Sequence, residues 1–364
     1  MRRLGIALAP ACLAAGLVLL APTAGAAAPP AKPKPGLTVE QTVVDADQSF
    51  RGLDAVDRRT AWVAGGSVSG GAGSVHRTSD GGRTWVEVTP PGVEGLQFRD
   101  VEVTGRRSAV ALTIGEGALS RVFRTTDDGR TWTETFRNDE PAAFYNCVDF
   151  YPGGKVGLAV SDPVDGRFRI IRTDDGGASW RVLPSAGMPD STGEANFAAS
   201  GDCLVTHGRD ASFGTGGERS RVFTSRDRGL TWTATDSAIP AGEAAGVFGL
   251  VFRGAHGVAV GGDFSAPTDG VDASSYTAPP RRGWTSGGDL THLAEDAAYV
   301  SGRTLLATGE SGDVAGTSLS TDGGRSWRFL SDVGFHTLDC AGGKDGACWA
   351  AGGRGRVARV AAGR

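Results

Sequence analysis

Four carboxyl side chains in the middle of the chain are the best candidates for catalysis. Asp162, Asp165, Glu194 and Asp263 lie in polar, loop-like segments between apolar runs. Two carboxyls about 5 to 9.5 Å apart can hydrolyse a glycosidic bond, one as general acid and the other as base or nucleophile. These residue types therefore keep a secreted glycoside hydrolase open as a hypothesis.

Polar residues in the same segments suit ligand binding as well. Loops on a rigid scaffold commonly hold binding residues, and convergent polar groups mark many ligand sites. The predicted ligand-binding set comprises Asp162, Asp165, Arg167, Glu194, Asn196, Arg209, Asp263 and Tyr276. Asp263, Asp269 and Asp272 could also offer oxygens to calcium, but their spacing matches no defined calcium loop. We expect no metal.

The sequence contains no motif for metal-dependent or serine hydrolysis, nucleotide binding or redox catalysis. There is no His-Glu-x-x-His metal motif and no Gly-x-Ser-x-Gly elbow. Gly-x-Gly strings lie between strand-like segments, with no helix to receive a phosphate. Nothing indicates NAD or flavin binding, so an oxidoreductase is unsupported and no cofactor is expected. A formal net charge of −4 gives no basic field that would attract nucleic acid.

An eight-residue pattern, Ser/Thr-x-Asp-x-Gly-x-Ser/Thr-Trp, gives the chain its internal repeat. It occurs five times, at residues 78–85, 125–132, 173–180, 225–232 and 320–327. The first four copies follow one another at intervals of roughly 50 residues, a period typical of a propeller blade with four strands. The repeat therefore predicts a β-propeller whose loops position the polar residues above.

Each copy of the repeat contains residues that suit a tight turn. Asp80 can accept hydrogen bonds from turn amides, Gly82 can take a positive φ, and Trp85 can fill the gap between blades. Repetition in every blade is what a scaffold requires and a single active site does not. We therefore assign a structural role to Asp80, Trp85, Asp127, Trp132, Asp175, Trp180, Asp227, Trp232, Asp322 and Trp327.

The repeat resembles the Asp-box, or bacterial neuraminidase repeat, of sialidases, sortilin-type receptors and photosystem II stability/assembly-factor-like propellers. In those families it forms a hairpin between the third and fourth strands of a blade. The string Arg-Thr-Ser-Asp-Gly-Gly-Arg-Thr-Trp at 77–85 is similar in texture to the photosystem II relatives, which bind a protein partner and are not enzymes. The resemblance therefore implies a binding or assembly protein.

A sialidase would require more than the repeat. Sialidases have a Phe-Arg-Ile-Pro motif before their first Asp-box, an arginine triad, a Tyr/Glu nucleophile pair and an acid/base Asp. The nearest string here, Phe-Arg-Ile-Ile at 168–171, lacks the Pro and follows two repeats, so it is best interpreted as a third strand. An enzyme is therefore the less favoured hypothesis.

The segments between the repeats predict an all-β fold, a seven-bladed β-propeller of four-stranded antiparallel blades. The blades are expected at about 50–89, 98–136, 144–184, 195–236, 246–293, 296–331 and 335–360. A decayed repeat without Asp or Trp is expected at 285–292. The seventh blade lacks a strand, which segment 37–44 could supply to close the ring. Residues 37–364 are thus expected to form one domain.

The topology of a four-stranded blade separates its connections onto two faces. First-to-second and third-to-fourth turns share the face with the repeats, whereas second-to-third turns and blade-to-blade connections lie on the opposite face. Polar insertions are expected there at 161–167, 207–219 and 262–282, beside the connector 188–197. The predicted ligand-binding set should therefore lie together opposite the repeats, over blades three to five.

The N-terminus is typical of an exported protein. Arg2 and Arg3 precede an apolar run over residues 4–20 and small residues up to Ala28, which predicts a signal peptide at 1–28. A Pro-rich lead follows at 29–36. We expect a secreted or extracytoplasmic bacterial protein with no integral membrane segment after cleavage.

Removal of the predicted signal peptide removes Cys12 and leaves four cysteines. An even number of cysteines suits an oxidising compartment. Cys340 and Cys348 flank a hairpin-like loop and are expected to pair, which leaves Cys147 to meet Cys203. Metal ligation is the weaker alternative, because no close Cys-x-x-Cys pair exists. The combined prediction is a secreted propeller that binds an unidentified protein or glycan ligand.

Overall fold

A computed structural model describes residues 36–279, 283–341 and 348–362. The predicted signal peptide and all but the last residue of the Pro-rich lead lie outside the described residues. The described part is built from strands, with 3₁₀ turns at Gly117–Leu119, Ser185–Gly187 and Gly201–Cys203. None of its helical segments is long and apolar enough to cross a membrane.

The strands follow one another with short connections. In chain order they are β1 (Leu37–Val43), β2 (Gln48–Ala55), β3 (Ala61–Ser67), β4 (Ser74–Thr78), β5 (Val86–Glu87), β6 (Gln97–Gly105), β7 (Ser108–Ile114), β8 (Arg121–Thr125), β9 (Thr133–Arg137), β10 (Tyr145–Phe150), β11 (Gly157–Val164), β12 (Arg167–Thr173), β13 (Arg181–Val182), β14 (Glu194–Ala195), β15 (Leu204–His207), β16 (Asp210–Gly214), β17 (Gly216–Gly217), β18 (Arg221–Ser225), β19 (Thr233–Asp236), β20 (Gly242–Arg253), β21 (His256–Asp263), β22 (Ser274–Thr277), β23 (Thr285–Gly288), β24 (Asp296–Ser301), β25 (Thr304–Ser311), β26 (Val314–Ser320), β27 (Arg328–Ser331), β28 (Thr337–Cys340), β29 (Cys348–Ala351) and β30 (Arg356–Ala362).

Seven antiparallel sheets are the blades of a propeller. Blades one to three are β2–β5, β6–β9 and β10–β13, blade four is β15, β16, β18 and β19, and blades five and six are β20–β23 and β24–β27. The seventh sheet has the order β1-β30-β29-β28, so the N-terminal strand is its fourth strand. The predicted seven-bladed all-β fold and its closure by the N-terminal strand are confirmed.

Apolar residues facing neighbouring blades form the core. Between blades three and four, Phe168 packs edge-on against Phe213 and Phe223, with ring centroids 4.9 and 5.2 Å apart. At the ring closure Trp85 of blade one meets Trp349 of blade seven, with centroids 5.9 Å apart. Each blade therefore buries its faces only by lying beside its neighbours, as stacked repeats require.

The five repeats form the same hydrogen-bonded turn. In the first copy Asp80 accepts bonds from the backbone N–H and the hydroxyl of Thr84, at 3.0 and 2.7 Å, and the Gly82 N–H donates to Thr78 at 3.0 Å. The other four copies reproduce these bonds. Bonds from Thr84 lower the pKa of Asp80 to about 2. The carboxylate therefore organises the turn, as a scaffold role predicts.

The decayed repeat of blade five lies at residues 277–284, directly before the predicted segment 285–292. β22 ends at Thr277 and β23 starts at Thr285, so the third-to-fourth turn of blade five lies between them. The sequence in repeat register is therefore 277–284, in which Trp284 is retained and Pro279 replaces the Asp. The assignment to 285–292 is wrong because that segment contains the fourth strand. Residues 280–282 of this turn lie outside the described part.

Both predicted disulfides are present. Cys147 is bonded to Cys203, with Cα atoms 6.0 Å apart, and joins the first strand of blade three to the segment before β15 in blade four. Cys340 is bonded to Cys348, with Cα atoms 4.0 Å apart, and links β28 to β29 within blade seven. One bond therefore fastens two blades together and the other closes a single hairpin.

Candidate functional site

The two faces of the ring differ in the turns that they hold. We call the face with the third-to-fourth and first-to-second turns the repeat face. The connector face holds the second-to-third turns and the segments that lead from one blade to the next. The predicted ligand-binding set is divided between these two faces.

Arg209 and Tyr276 lie on the repeat face, so the prediction that all eight residues share one surface is wrong. Arg209 is in the β15–β16 turn, a first-to-second connection that the sequence interpretation had merged with a second-to-third loop. Tyr276 is near the repeat-face end of β22, where the Arg325 guanidinium lies 5.0 Å from its ring centroid. The sequence signal that places Arg209 on the repeat face is the short turn Gly208-Arg209 between two strand-like runs.

The predicted insertion in blade three is a tight hairpin. β11 extends to Val164 and β12 begins at Arg167, so Asp165 and Gly166 alone make the turn. Both have positive φ, 51° and 72°, as a type I′ turn requires. Asp165 is exposed at this tip, whereas Asp162 lies back within the strand.

Asp162 and Asn196 are in direct contact on the connector face. The Asp162 carboxylate accepts bonds from the Asn196 backbone N–H at 2.8 Å and from the Asn146 side chain at 3.0 Å. The Asn196 side chain donates to the carbonyl of Gly214 at 2.8 Å. Burial raises the pKa of Asp162 to about 6, against the effect of these bonds. The pair therefore joins blade three to the connector and to blade four.

Glu194 is buried in a charge pair beside this contact. It binds Arg221, and its Oε2 also accepts the Thr215 hydroxyl at 2.7 Å. Arg167 of the blade-three hairpin donates to the carbonyl of Met188 in the same connector. Glu194 and Arg167 are therefore held by contacts within the fold, and breaking the buried Glu194 pair would leave an uncompensated charge.

A small ladder of strands fastens these loops into one surface. β14 pairs with β17, β17 pairs with β20, and the order β14-β17-β20-β21-β22-β23 extends the sheet of blade five across blade four. A Cβ atom on Gly246 would overlap Gly216, so the two backbones approach where only glycines fit. Asp263 lies opposite Ala245 in the β20–β21 register. The Ser191 N–H also donates to the Gly166 carbonyl at 2.8 Å, which fastens the blade-three hairpin tip to the connector. We call residues 165–166, 188–197, 214–221, 242–246 and 263–265 the connector platform.

Aromatic side chains pack at the inner edge of the connector platform. Phe248 contacts Phe264, with ring centroids 4.4 Å apart, and Phe197, with centroids 5.4 Å apart. Phe197 and Phe264 are half-buried, whereas Phe213 is fully buried in the core. Two partly accessible rings therefore remain for contact with a partner.

Acidic groups predominate over the connector face of blades three to five. The exposed carboxylates of its described segments are Asp139, Asp165, Asp190, Glu218, Glu243, Asp269 and Asp289. In the same segments Arg219 is exposed, while Arg167 and Arg221 are engaged with Met188 and Glu194. The surface is therefore negatively charged beyond the predicted residues.

The first strands of the blades present a set of aspartates that sequence reasoning missed. Asp54 accepts the Val103 N–H of the next blade at 2.6 Å, Asp100 accepts that of Val148 at 2.9 Å, and further bonds of this type come from Asp149, Asp296 and Asp339. An Asp next to an apolar residue in five inner strands was the available signal. These carboxyls join neighbouring blades around the centre of the ring.

Burial of these inner-strand carboxyls favours their protonated form. It raises the pKa of Asp54, Asp149 and Asp296 to about 7 and that of Asp100 to about 8. Asp202 of blade four forms a hydrogen bond with Asp296 of blade six, and its pKa is also raised by burial. The centre of the ring therefore contains carboxyls that hold protons to near-neutral pH.

Comparison with known proteins identifies the fold. No protein-family model matches the chain, and no curated protein sequence does. The solved structure of YCF48 bound to D1 peptide is 16% identical with a TM-score of 0.59, and the match covers 88% of this chain and 94% of that chain. YCF48 from Cyanidioschyzon merolae is 18% identical with a TM-score of 0.59, over 88% and 98% of the two chains.

These two structures confirm, at the level of the fold, the resemblance to photosystem II assembly-factor-like propellers that the repeat indicates. Sequence identity this low supports a shared architecture but does not assign any site residue in this chain. The chain accordingly has the propeller fold of these two structures.

Proposed function

We propose that this protein is an extracytoplasmic binding and assembly propeller that recognises a polypeptide through the connector platform. The single observation behind this proposal is the platform itself, where three loops of different blades are fastened into one surface by the β14–β17–β20 ladder. Binding surfaces on rigid elements hold their geometry better than separate loops do. A solved propeller of this fold, YCF48, has been captured with a D1 peptide, which supports a polypeptide ligand here.

The charge of the connector platform favours a basic partner. Asp165, Glu218 and Glu243 are exposed and have no side-chain hydrogen bond or ion pair in the described part of the chain. Complementary charge steers association and selects partners, and Phe264 adds apolar contact at the inner edge. A segment with Lys or Arg beside apolar residues would fit this combination.

A role in binding is also favoured over hydrolysis by what the predicted carboxyls contact. Asp162 is engaged by Asn146 and Asn196, and Glu194 by Arg221 and Thr215. Asp165 lies in the hairpin turn of blade three, and Asp263 ends strand β21 of blade five. The disulfides are in keeping with an oxidising compartment, and export remains part of the proposal.

The test is affinity capture from the producing cell's surface and culture fractions, with identification of the captured protein. The triple variant Asp165→Asn, Glu218→Gln, Glu243→Gln should lose at least ten-fold of the captured partner. The control variant Glu94→Gln, Asp313→Asn, Asp332→Asn neutralises exposed acids of the same face on other blades and should retain it. Equal loss in both variants would contradict a local site, and cleavage of a glycoside panel would contradict the non-catalytic proposal.

A further inference from the structure

A cleft of about 840 Å³ opens on the repeat face between blades four and five. One wall is formed by the outer part of blade four and the other by the first-to-second turn and Trp284 of blade five. It lies on the opposite face from the connector platform. Nothing in the proposed function uses it.

The position of the cleft corresponds to the decayed repeat. In the intact repeats a glycine packs tightly on the preceding blade, so that a Cβ on Gly129 would lie 2.6 Å from Val88 and one on Gly324 would lie 2.6 Å from Val258. Blade five has Arg281 in the sequence at this place and lacks the Asp that organises the turn. The repeat signature is therefore incomplete at the turn beside the cleft.

Aromatic rings form the floor of the cleft. His207 stacks on Phe252 with ring centroids 3.7 Å apart and planes 6° from parallel, and Trp284 meets Phe252 edge-on at 6.0 Å. His207 Nε2 is 3.2 Å from the Ser212 hydroxyl, and burial lowers the pKa of the imidazole. The floor is thus an uncharged aromatic surface, with His207 and Phe252 stacked and Trp284 standing at its edge.

The rim and wall offer opposite kinds of hydrogen-bonding group. Arg209 and Arg226 line the cleft and have no hydrogen bond or ion pair among the described residues, although Asp210 lies beside them. The hydroxyls of Thr231, Thr233 and Thr235 donate to Asp227 and to backbone carbonyls, which leaves their oxygens free to accept. Both side chains are exposed, and a guanidinium favours a carboxylate, whose two oxygens match its paired N–H donors.

The wall also favours a polypeptide over other anions. β19, which contains Thr233 and Thr235, is the outermost strand of blade four and pairs only with β18 in the described part of the chain. Thr233 and Thr235 lie two positions apart on β19, so their accepting oxygens repeat at the two-residue spacing of the N–H groups along one edge of an extended polypeptide. We propose that the cleft between blades four and five binds an extended acidic polypeptide segment, with its carboxylates on Arg209 and Arg226.

The inference can be tested with a fluorescein-labelled peptide of alternating Glu and Val residues. Fluorescence anisotropy at low salt should show saturable binding to the wild-type protein. The double variant Arg209→Ala, Arg226→Ala should raise Kd at least ten-fold, because each guanidinium pairs with one carboxylate. Arg106→Ala, Arg130→Ala, which removes exposed arginines from the repeat face of blade two, should leave Kd within about two-fold.

Three results would overturn the inference. The first is that the double variant binds the acidic peptide as tightly as the wild type. The second is that a peptide with Lys in place of Glu binds equally well. The third is that a sulfated polysaccharide of equivalent charge displaces the acidic peptide and depends on Arg209 and Arg226 in the same way. The connector-platform variant Asp165→Asn, Glu218→Gln, Glu243→Gln should bind this peptide like the wild type. Failure of the proposed function is thereby distinguished from failure at the cleft.

Discussion

Replacing Asp202 by asparagine should change how the stability of the ring depends on pH. Asp202 forms a hydrogen bond with Asp296 across the centre of the ring, and burial raises the pKa of both carboxyls. The Asp202→Asn variant keeps a donor toward Asp296 and removes one titrating group. Because the shape of the side chain is almost unchanged, its effect should be confined to the pH dependence.

The magnitude follows from the direction of the pKa shifts. A carboxyl whose pKa is raised on folding stabilises the native state fully below its unfolded pKa, and this stabilisation is lost as pH rises through the folded pKa. For Asp296 that window runs from 3.8 to about 7. Each proton held only by the folded state makes the free energy of unfolding fall by roughly 1.4 kcal/mol per pH unit. Removing one such group should flatten the slope by about that amount.

The assay is urea unfolding at pH 5, 6 and 7 with the disulfides intact. The wild type should lose stability from pH 5 to 7 more steeply than Asp202→Asn, and the two proteins should differ least at pH 5. Asp165→Asn, a change at an exposed hairpin tip, is the matched control and should run parallel to the wild type. Parallel lines for all three proteins, or a wild type that is more stable at pH 7 than at pH 5, would refute the reasoning.

Three further predictions concern the scaffold. Burial opposes ionisation of Asp227, but hydrogen bonds from Thr231 and Ser225 outweigh it and lower the pKa of this carboxyl. The stability that the carboxylate provides should therefore be lost below about pH 4. Asp227→Ala should lower Tm at pH 7 in calorimetry, whereas the control Asp236→Ala should not. Removing the Cys147–Cys203 bond should lower the free energy of unfolding by about 2 kcal/mol more than removing the Cys340–Cys348 bond, because the first closes a longer loop, with a sequence separation of 56 against 8. Urea unfolding of the two variants in which both cysteines of one bond are replaced by serine measures the difference. Gly177→Ala places a Cβ 2.7 Å from Val110 at a φ of 82°, whereas the Cβ of Gly153→Ala meets open space at a φ of 99°. Gly177→Ala should therefore lower the free energy of unfolding by about 1–3 kcal/mol more than Gly153→Ala does. Equal losses would mean that the contact with blade two contributes nothing.

Local patterns were sufficient to predict most of the architecture. The repeat fixes a turn through hydrogen bonds among residues at most four positions apart, as between Asp80 and Thr84, so its chemistry is visible in eight residues. The missing outer strand of blade seven and the alternating segment before blade one also indicated the ring closure. The fifth repeat was misplaced because only Thr277 and Trp284 of its signature are retained.

The site was harder to predict because its geometry depends on distant contacts. Asp162 and Asn196 meet through a bond between residues 34 positions apart, and their adjacency was inferred only from blade order. Arg209 was assigned to the wrong face because a two-residue turn was merged with the loop that follows β16. The inner-strand aspartates escaped notice because each one acts on the next blade, as Asp54 does on Val103.

The pairing of β1 with β30 makes the ring sensitive to the completeness of its chain. Leu37 lies opposite Ala362, so a strand that leaves the ribosome early has no partner until the far end of the propeller has been made. Until then β1 and β29 each have an unpaired edge that other chains can occupy. A chain cut short before Arg356 would leave Trp85 and Trp349 at an open seam. Premature termination should therefore yield aggregation-prone products and not a smaller working propeller.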